Sequence, residues 1–272
     1  MIAINRLKIV MLLSVSIQVN AQELFVMTEP ASNMPAGSIG IRAMNAFMFE
    51  EDGTLNYHLM PELMWGISAK WMVHLQSFHS NRTEGGLKTE GGSAYAKYRF
   101  LSVDDVHKHF RFAVYGRYSV NNANIHQQEI EIMGHNTGYE SGLVATQLIK
   151  KMALSVSASY ERALNNQPKY DFPSFESNSA TNYTFSAGRL MYPKKYTSFK
   201  QTNINVMVEM IGQCLNENGK SYLDIVPALQ FIINSQARID LAYRKEIYST
   251  MVRTAPNGMM VKFEYTLFNV TQ

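Results

Sequence analysis

Apolar and polar residues alternate with a period of two along most of this 272-residue chain. From Leu55 to Trp65 the odd positions hold Leu, Tyr, Pro or Trp, whereas the even positions hold Asn, His, Met or Glu. A helix would repeat near 3.6 residues, so this alternation indicates a β-strand with one apolar and one polar face. The pattern therefore limits the fold to sheets whose two faces meet different surroundings.

Twelve segments carry this pattern. We predict strands near residues 38–49, 55–65, 70–78, 94–100, 110–119, 138–148, 152–160, 182–192, 202–210, 222–231, 238–246 and 259–267. An even strand number is typical of bacterial outer-membrane barrels. After residue 22 no run approaches about 18 consecutive apolar residues, so transmembrane helices are not predicted. Only helices and closed barrels satisfy every backbone polar group in lipid, and we therefore predict an all-β fold, a transmembrane antiparallel up-and-down β-barrel of about 12 strands.

The connections between these strands alternate in length. The brief ones lie at 66–69, 102–108, 149–151, 193–198 and 234–236. The longer ones lie at 80–92, 121–137, 161–181, 212–220 and 248–257, and only the first connection, 50–53, breaks the pattern. Bacterial barrels have short periplasmic turns and longer outside loops, so this alternation places both chain ends in the periplasm.

The N-terminus has the form of a secretory signal. Arg6 and Lys8 precede an apolar run over residues 9–19, and Ala21 ends a segment that a signal peptidase would read. We predict a signal peptide at 1–21 and one outer-membrane barrel domain at 22–272, exported in a Gram-negative bacterium. The run is too short to cross a bilayer as a helix, which needs about 20 residues.

Composition excludes several classes of function. The formal net charge of +3 is too small to argue for nucleic acid as a partner. The single cysteine, Cys214, rules out an intramolecular disulfide. The chain has no phosphate-binding loop, CxxC pair or HExxH motif, so no cofactor and no enzymatic activity are predicted.

Aromatic residues cluster near the predicted strand ends, as they do in the interfacial girdles of membrane barrels. They are Trp65, Trp71, Phe100, Phe110, Tyr118, Tyr160, Tyr183, Tyr192 and Phe268. The alternative is ordinary packing in the core of a soluble β-sandwich. That alternative is less favoured, because the apolar faces hold more large residues than one small core needs.

Residues 223–247 read LDIVPALQFIINSQARIDLAYRKEI. This hairpin and the closing strand from Gly258 to Phe268 resemble the last strands of the outer-membrane family named for the MetA pathway of phenol degradation. The resemblance implies a twelve-stranded barrel of the transporter type. It implies no catalytic residues.

Charged and polar residues on the predicted inner faces are candidates for lining the lumen. They are Arg42, Glu62, His74, Lys97, Arg99, Arg111, Arg117, Asp224, Arg238, Asp240, Arg244 and Glu264. Both signs occur on neighbouring strands, which favours cross-strand ion pairs over a filter of one sign.

A particular register brings some of these residues together. If the first loop pairs Met48 with Asn56, Arg42 faces Glu62. If the turn at 66–69 pairs Trp65 with Trp71, Glu62 lies opposite His74 and Met64 opposite Met72.

The same register gathers Met44, Met60, Met64, Met72 and His74 into one patch. Thioethers and imidazole suit Cu(I), so this patch is a candidate metal path. The favoured interpretation is lumen packing, in which flexible methionines fill gaps beside a paired Arg–Glu network.

A surface hydrolase is the remaining alternative, because His135 precedes polar residues near an expected outer rim. No serine sits where it would be a nucleophile beside this histidine. We therefore expect a passive or facilitated channel for small solutes, a small molecule or a metal ion, surrounded by outer-membrane lipid. The alternative to a channel is a non-conducting structural or interaction barrel with a packed lumen.

Overall fold

The computed structural model describes residues 25–50, 53–82, 86–106, 108–166, 170–195, 198 and 200–271. The predicted signal peptide lies outside these residues. Each predicted alternating segment forms a strand. The strands are β1 (Ile39–Phe49), β2 (Leu55–Gly66), β3 (Trp71–Ser80), β4 (Lys88–Asp105), β5 (Lys108–Asn121), β6 (Thr137–Ile149), β7 (Met152–Leu164), β8 (Ser179–Tyr192), β9 (Asn203–Leu215), β10 (Ser221–Ile233), β11 (Ala237–Ser249) and β12 (Asn257–Leu267).

Each strand pairs antiparallel with its neighbours in the chain, and β1 pairs with β12 to close the ring. Ile41 lies opposite Tyr265 and Arg42 opposite Glu264 across this closing seam. The twelve-stranded antiparallel up-and-down barrel is thus confirmed. Within the described part of the chain, no helix has the length and apolar character needed to span a membrane.

The two faces of the wall are inverted relative to a soluble protein. Leu75 is 60% exposed on the outside, whereas Lys97 and Asp224 are fully buried on the inside. A soluble sandwich would bury leucines and expose charges. The structure therefore contradicts the sandwich alternative and leaves an apolar outer surface around a polar interior.

Aromatic side chains form two outer belts, one near each end of the barrel. One belt lies where the short turns are, at the end that also holds the start of β1 and the finish of β12; we call this the turn end. There the rings of Trp71 and Tyr98 lie 4.8 Å apart, as do those of Phe100 and Phe112. At the opposite end, the loop end, Tyr118 pairs with Tyr139 in the ladder.

The prediction of a turn over residues 102–108 is wrong. Strand β4 continues to Asp105 and β5 begins at Lys108, so most of this segment is paired strand. A register shift between Arg99 and Leu101 interrupts the alternation there, and that irregularity hid the end of the strand from the sequence pattern.

The predicted register between β2 and β3 is also wrong, by two residues. Trp65 pairs with Val73, Met64 with His74 and Glu62 with Gln76. The turn is longer than assumed, because Ser68 Oγ accepts hydrogen bonds from the amides of Lys70 and Trp71. A shift of two residues keeps each side chain on its predicted face. The pairing of Arg42 with Glu62 and of Met44 with Met60 is confirmed.

A glycine on β4 provides a test of the wall. Gly91 has a φ of +154°, and a Cβ added there would overlap the carbonyl oxygen of Val120. We expect Gly91→Ala to lower the free energy of unfolding by about 1–3 kcal/mol, measured as a lower urea midpoint in lipid vesicles. Gly116→Ala is the matched control, because its Cβ would meet only the oxygen of Glu140 at 3.6 Å. Equal stability of the two variants would contradict the close approach of β4 to β5 at Gly91.

Candidate functional site

The N-terminal segment before β1 lies inside the barrel. We call residues 25–38 the plug. Phe25, Ala31 and Ser38 are at most 1% exposed, and Met34 is 7% exposed. At the turn end the amide of Gly37 donates to the carbonyl of Gly66, which joins the plug to the rim. From there the chain crosses the lumen to the opposite wall.

A carboxylate on β9 holds the far end of the plug. Glu209 is fully buried and accepts hydrogen bonds from the amides of Val26, Met27 and Thr28 at 2.8–3.2 Å. The hydroxyl of Thr28 donates to the same carboxylate at 2.8 Å. Consecutive amides without a ladder partner would be costly inside the barrel, and one charged acceptor satisfies three of them.

Cations on the wall satisfy the plug's carbonyls. Lys262 Nζ donates to the carbonyl of Val26 and Lys97 Nζ to that of Pro30, both at 2.8 Å. Nearer the turn end, Arg111 donates to the hydroxyl of Ser32 at 2.9 Å. The plug is therefore held by polar contacts distributed around the lumen.

A central ion network links the plug to β1, β2 and β12. Arg42 lies 3.0 Å from Glu62, 2.9 Å from Glu264 and 3.2 Å from Glu29 of the plug. His74 Nδ1 lies 2.6 Å from the other oxygen of Glu62. Arg42, Glu62 and His74 are therefore in contact as predicted, although the β2–β3 register differs from the predicted one.

Glu29 was not predicted as part of this network. Burial raises the pKa of its carboxyl, but Lys97 and Arg42 outweigh burial and lower the pKa to about 2. The carboxylate is therefore ionised in the closed lumen. It neutralises wall cations that would otherwise face each other.

Arg238 of β11 and Lys97 of β4 join the central network through Glu264 and Glu29, whereas Arg117 of β5 pairs with another carboxylate. Arg238 lies 3.1 Å from Asp240 and 2.8 Å from Glu264. Arg117 lies 3.8 Å from Glu140 and stacks 5.2 Å from the centre of the Tyr95 ring.

Two predicted residues lie toward the turn end. Arg111 reaches Asp104 at 3.4 Å as well as Ser32 of the plug. Arg99 is half-buried beside the irregularity in β4. These two arginines therefore belong to a polar rim at the turn end, apart from the central network.

The connection between β5 and β6 closes the loop end. We call residues 122–136 the inserted loop. Its Ile130 and Ile132 are buried within the barrel. The side-chain amide of Gln213 both accepts from the amide of Ile130 at 2.9 Å and donates to its carbonyl at 2.7 Å, as a neighbouring strand would.

A second ion network anchors the inserted loop. Glu129 lies 2.9 Å from Arg244 and 2.7 Å from Arg253. Both arginines also bind Asp224, at 2.6 and 2.8 Å. Arg253 stacks 3.7 Å from the centre of the Tyr222 ring. The predicted residues Asp224 and Arg244 are therefore partners, and Glu129 and Arg253 from two loops complete the cluster.

A cavity remains between the plug and the inserted loop. Its volume is about 50 Å³, room for about three water molecules. We call it the methionine cavity. Its sulfur- and imidazole-bearing lining residues are Met27, Met44, Met48, Met60, Met133, Met260, His58 and His135. Arg82, Glu129, Glu131 and Arg244 also line it.

The predicted methionine patch is divided by the structure. Met44 and Met60 line the cavity, whereas Met64 and Met72 pack with Met34 of the plug in a separate cluster. His74 belongs to the central ion network. The prediction that these methionines form one patch is therefore wrong, because the plug separates the two at the cavity from Met64 and Met72.

His135 faces a carboxylate and an amide. Its Nδ1 lies 3.0 Å from Glu131 and 2.7 Å from the amide nitrogen of Gln127. These two side chains, and not a serine, occupy the position that a nucleophile would need. Burial, together with the nearby cations, lowers the pKa of His135 well below its ordinary value.

Two sequence signals could have revealed the contents of the lumen. Phe25, Val26 and Met27 lie within six residues of the predicted leader, although an exposed N-terminal tail should be polar. Ile130 and Ile132 alternate with acidic residues in a connection interpreted as an exposed loop. Both segments carry strand-like apolar residues where the outer wall has no place for them.

The second ion network predicts the behaviour of the inserted loop. Burial raises the pKa of Glu129, but Arg244 and Arg253 outweigh burial and lower it to about 2. Glu129→Gln would remove one of the two anions that the buried Arg244 and Arg253 share, at a cost of about 3 kcal/mol. We expect faster amide hydrogen exchange over residues 122–136, with exchange in the strands unchanged.

Glu131→Gln is the matched control, and its effect depends on pH. Burial and then Glu129 raise the pKa of Glu131 from 4.5 to about 7. The docked loop therefore holds this proton more tightly than the free loop does, and docking weakens as pH rises from about 4.5 through 7. We expect Glu131→Gln to match the wild type at pH 4 and to protect the loop better at pH 8. Loosening at pH 8 would contradict the assignment.

Known structures share this fold. An outer-membrane channel of Pseudomonas putida F1 aligns over 89% of this chain and 100% of its own, with 10% identity and a TM-score of 0.57. The KdgM porin aligns over 84% and 98%, with 11% identity and a TM-score of 0.46. The NanC porin aligns over 85% and 98%, with 9% identity and a TM-score of 0.48. No family model and no curated protein matches the sequence. The channel of Pseudomonas putida F1, with the TM-score of 0.57, is similar to this chain in fold.

Proposed function

We propose that the protein is an outer-membrane channel for small solutes, closed in this conformation by the plug. One observation carries the proposal: the lumen is filled by a chain segment that does not belong to the wall. The wall itself keeps charged and polar side chains inward, including Lys97, Glu209 and Asp240. A wall meant only to pack against itself would not need such groups.

The plug's contacts are of a kind that water can replace. Its anchors to Glu209, Lys262 and Lys97 are hydrogen bonds between side chains and backbone. When the plug leaves, these groups regain hydration, so the net free energy of each bond is small compared with its strength in a dry interior. Displacement of the plug would leave a lumen lined by both signs of charge.

The outer surface supports placement in the outer membrane of a Gram-negative cell. Exposed apolar residues such as Leu75, Val156 and Phe263 cover the outside between the aromatic belts. Twelve strands close the sheet without an edge, as a lipid environment requires. Outer-membrane lipid is therefore the proposed surrounding partner. The resemblance to the MetA pathway family stays a prediction.

A non-conducting barrel is the second candidate. The observation that favours it is the density of ionic contacts at both ends of the lumen. Glu29 joins the central network, and Glu129 joins the network at the loop end. Separating the partners of a buried ion pair costs considerable free energy, so these two networks could hold the lumen shut permanently.

A reversible disulfide distinguishes these candidates. The hydroxyl oxygens of Thr28 on the plug and Ser186 on β8 lie 2.8 Å apart. We expect Thr28→Cys/Ser186→Cys, in a Cys214→Ser background, to form a disulfide that fixes the plug to the wall. In planar bilayers the reduced protein should show channel openings. Oxidation should abolish them, and reduction should restore them.

Thr28→Cys alone is the control, because it should conduct equally in both redox conditions. Glu209→Ala should increase the frequency of openings, since it removes the acceptor of three plug amides. Equal conductance of the oxidised and reduced double variant would show that the plug is not the closure. An absence of conductance in every form, Glu209→Ala included, would favour the non-conducting barrel.

A further inference from the structure

Thioether sulfurs are concentrated on one stripe of the inner wall. Met44 and Met48 lie on β1, Met60 on β2 and Met260 on β12, so three adjacent strands contribute. Met44 faces Met60 directly in the ladder, and Met260 faces Ala46. Directly paired residues have Cα atoms about 5 Å apart, which brings their flexible side chains within reach of one point.

The plug and the inserted loop add donor atoms from the other sides of this space. Met27 comes from the plug, and Met133 and His135 come from the inserted loop. His58 extends from β2, and its ring centre lies 5.2 Å from that of His135. Donors from the wall, the plug and the loop therefore surround one small space.

The wall methionines around this space also pack in a buried apolar cluster with Phe25 and Val26 of the plug. About 50 Å³ stays open among these side chains. Met64 and Met72 do not line this space, because they are fully buried in a separate cluster with Met34 of the plug.

We propose that the methionine cavity binds a soft monovalent metal ion, Cu(I), through thioether sulfur and imidazole nitrogen. Soft thioethers select Cu(I) over the harder divalent ions, and imidazole is a compatible companion ligand. Among the described residues, no group of three or more His, Cys, Asp or Glu side chains is placed to hold a metal. The sulfur and imidazole donors of this cavity outnumber its two carboxylates, and one of these, Glu129, is already bound by Arg244 and Arg253.

Glu131 can orient the imidazole of His135 as a ligand. A histidine binds a metal through a ring nitrogen that carries no proton. When Nδ1–H donates to the Glu131 carboxylate, 3.0 Å away, the lone pair of Nε2 is left for a metal. Donation of the other ring N–H to a carboxylate is how protein sites orient a histidine ligand.

The charges around the cavity allow a single positive ion. Arg244 is paired with Glu129 and Asp224, and Arg82 with Glu90 at 2.8 Å. Glu131 supplies a further carboxyl, 3.0 Å from His135 Nδ1. A monovalent cation bound here would meet compensated arginines and one nearby acid.

Metal binding is tested on the purified full-length protein in detergent. Cu(I) is titrated anaerobically against a coloured Cu(I) chelator, and Ag(I) serves in calorimetry as a probe that does not change oxidation state. We expect one tightly held ion per chain. X-ray absorption of the Cu(I) form should show both sulfur and nitrogen neighbours.

The matched variants are Met44→Leu/Met60→Leu in the cavity and Met64→Leu/Met72→Leu in the packed cluster. Leucine conserves volume, so both pairs should fold, and far-UV circular dichroism checks this. Loss of even an outer-shell partner costs about tenfold in metal affinity, so the cavity pair should weaken binding by at least about tenfold. The packed pair should bind like the wild type. His135→Gln gives an independent loss if the cavity pair misfolds.

Two outcomes would overturn the inference. One is that the cavity pair and His135→Gln hold Cu(I) as tightly as the wild type. The other is that both methionine pairs lose binding equally, which would indicate scattered surface sites or a general structural effect. Conductance is measured on the same samples without metal, so a failed metal site and a failed channel are separate results.

Discussion

Every structural feature of this barrel depends on closure of the backbone hydrogen-bond ladder between β1 and β12. With the ring closed, no strand has an unpaired edge, and side chains alone meet the surroundings. They can then divide by face, with Leu75 and Phe263 outward and Lys97 and Asp240 inward. An open sheet of the same strands would leave one row of amides and carbonyls without partners, and the polar interior would have no boundary.

The chain segments inside the ring have a separate need for hydrogen-bond partners. The plug and the inserted loop are irregular chain inside the ring, and their backbone groups have no ladder of their own. Wall side chains supply the partners: Glu209 and Lys262 for the plug, Gln213 for the inserted loop. The same polar wall that would line an open pore therefore acts as a set of docking groups when the pore is closed. In the channel that we propose, both states would use one set of residues.

The strands, their faces and their order were predictable because a period of two is local information. Arg42 and Glu62 could even be paired, since the first loop is short. The β2–β3 register was not predictable to the residue, because it depends on hydrogen bonds made by Ser68 within the turn. The plug could not be predicted from the sequence for another reason. Its contacts join residues far apart in the chain, such as Met27 and Glu209, and no local pattern encodes them.

The origin of the plug's partners has a consequence for biogenesis. The plug precedes every strand, yet the groups that hold its far end belong to β9 and β12. These contacts span most of the chain, and long-range contacts form late because the intervening chain must first be ordered. During assembly, the polar backbone groups of the plug therefore lack these hydrogen-bond partners until the last strand is in place. Docking of the plug marks a finished barrel, and in an unfinished one it stays exposed to chaperones and proteases.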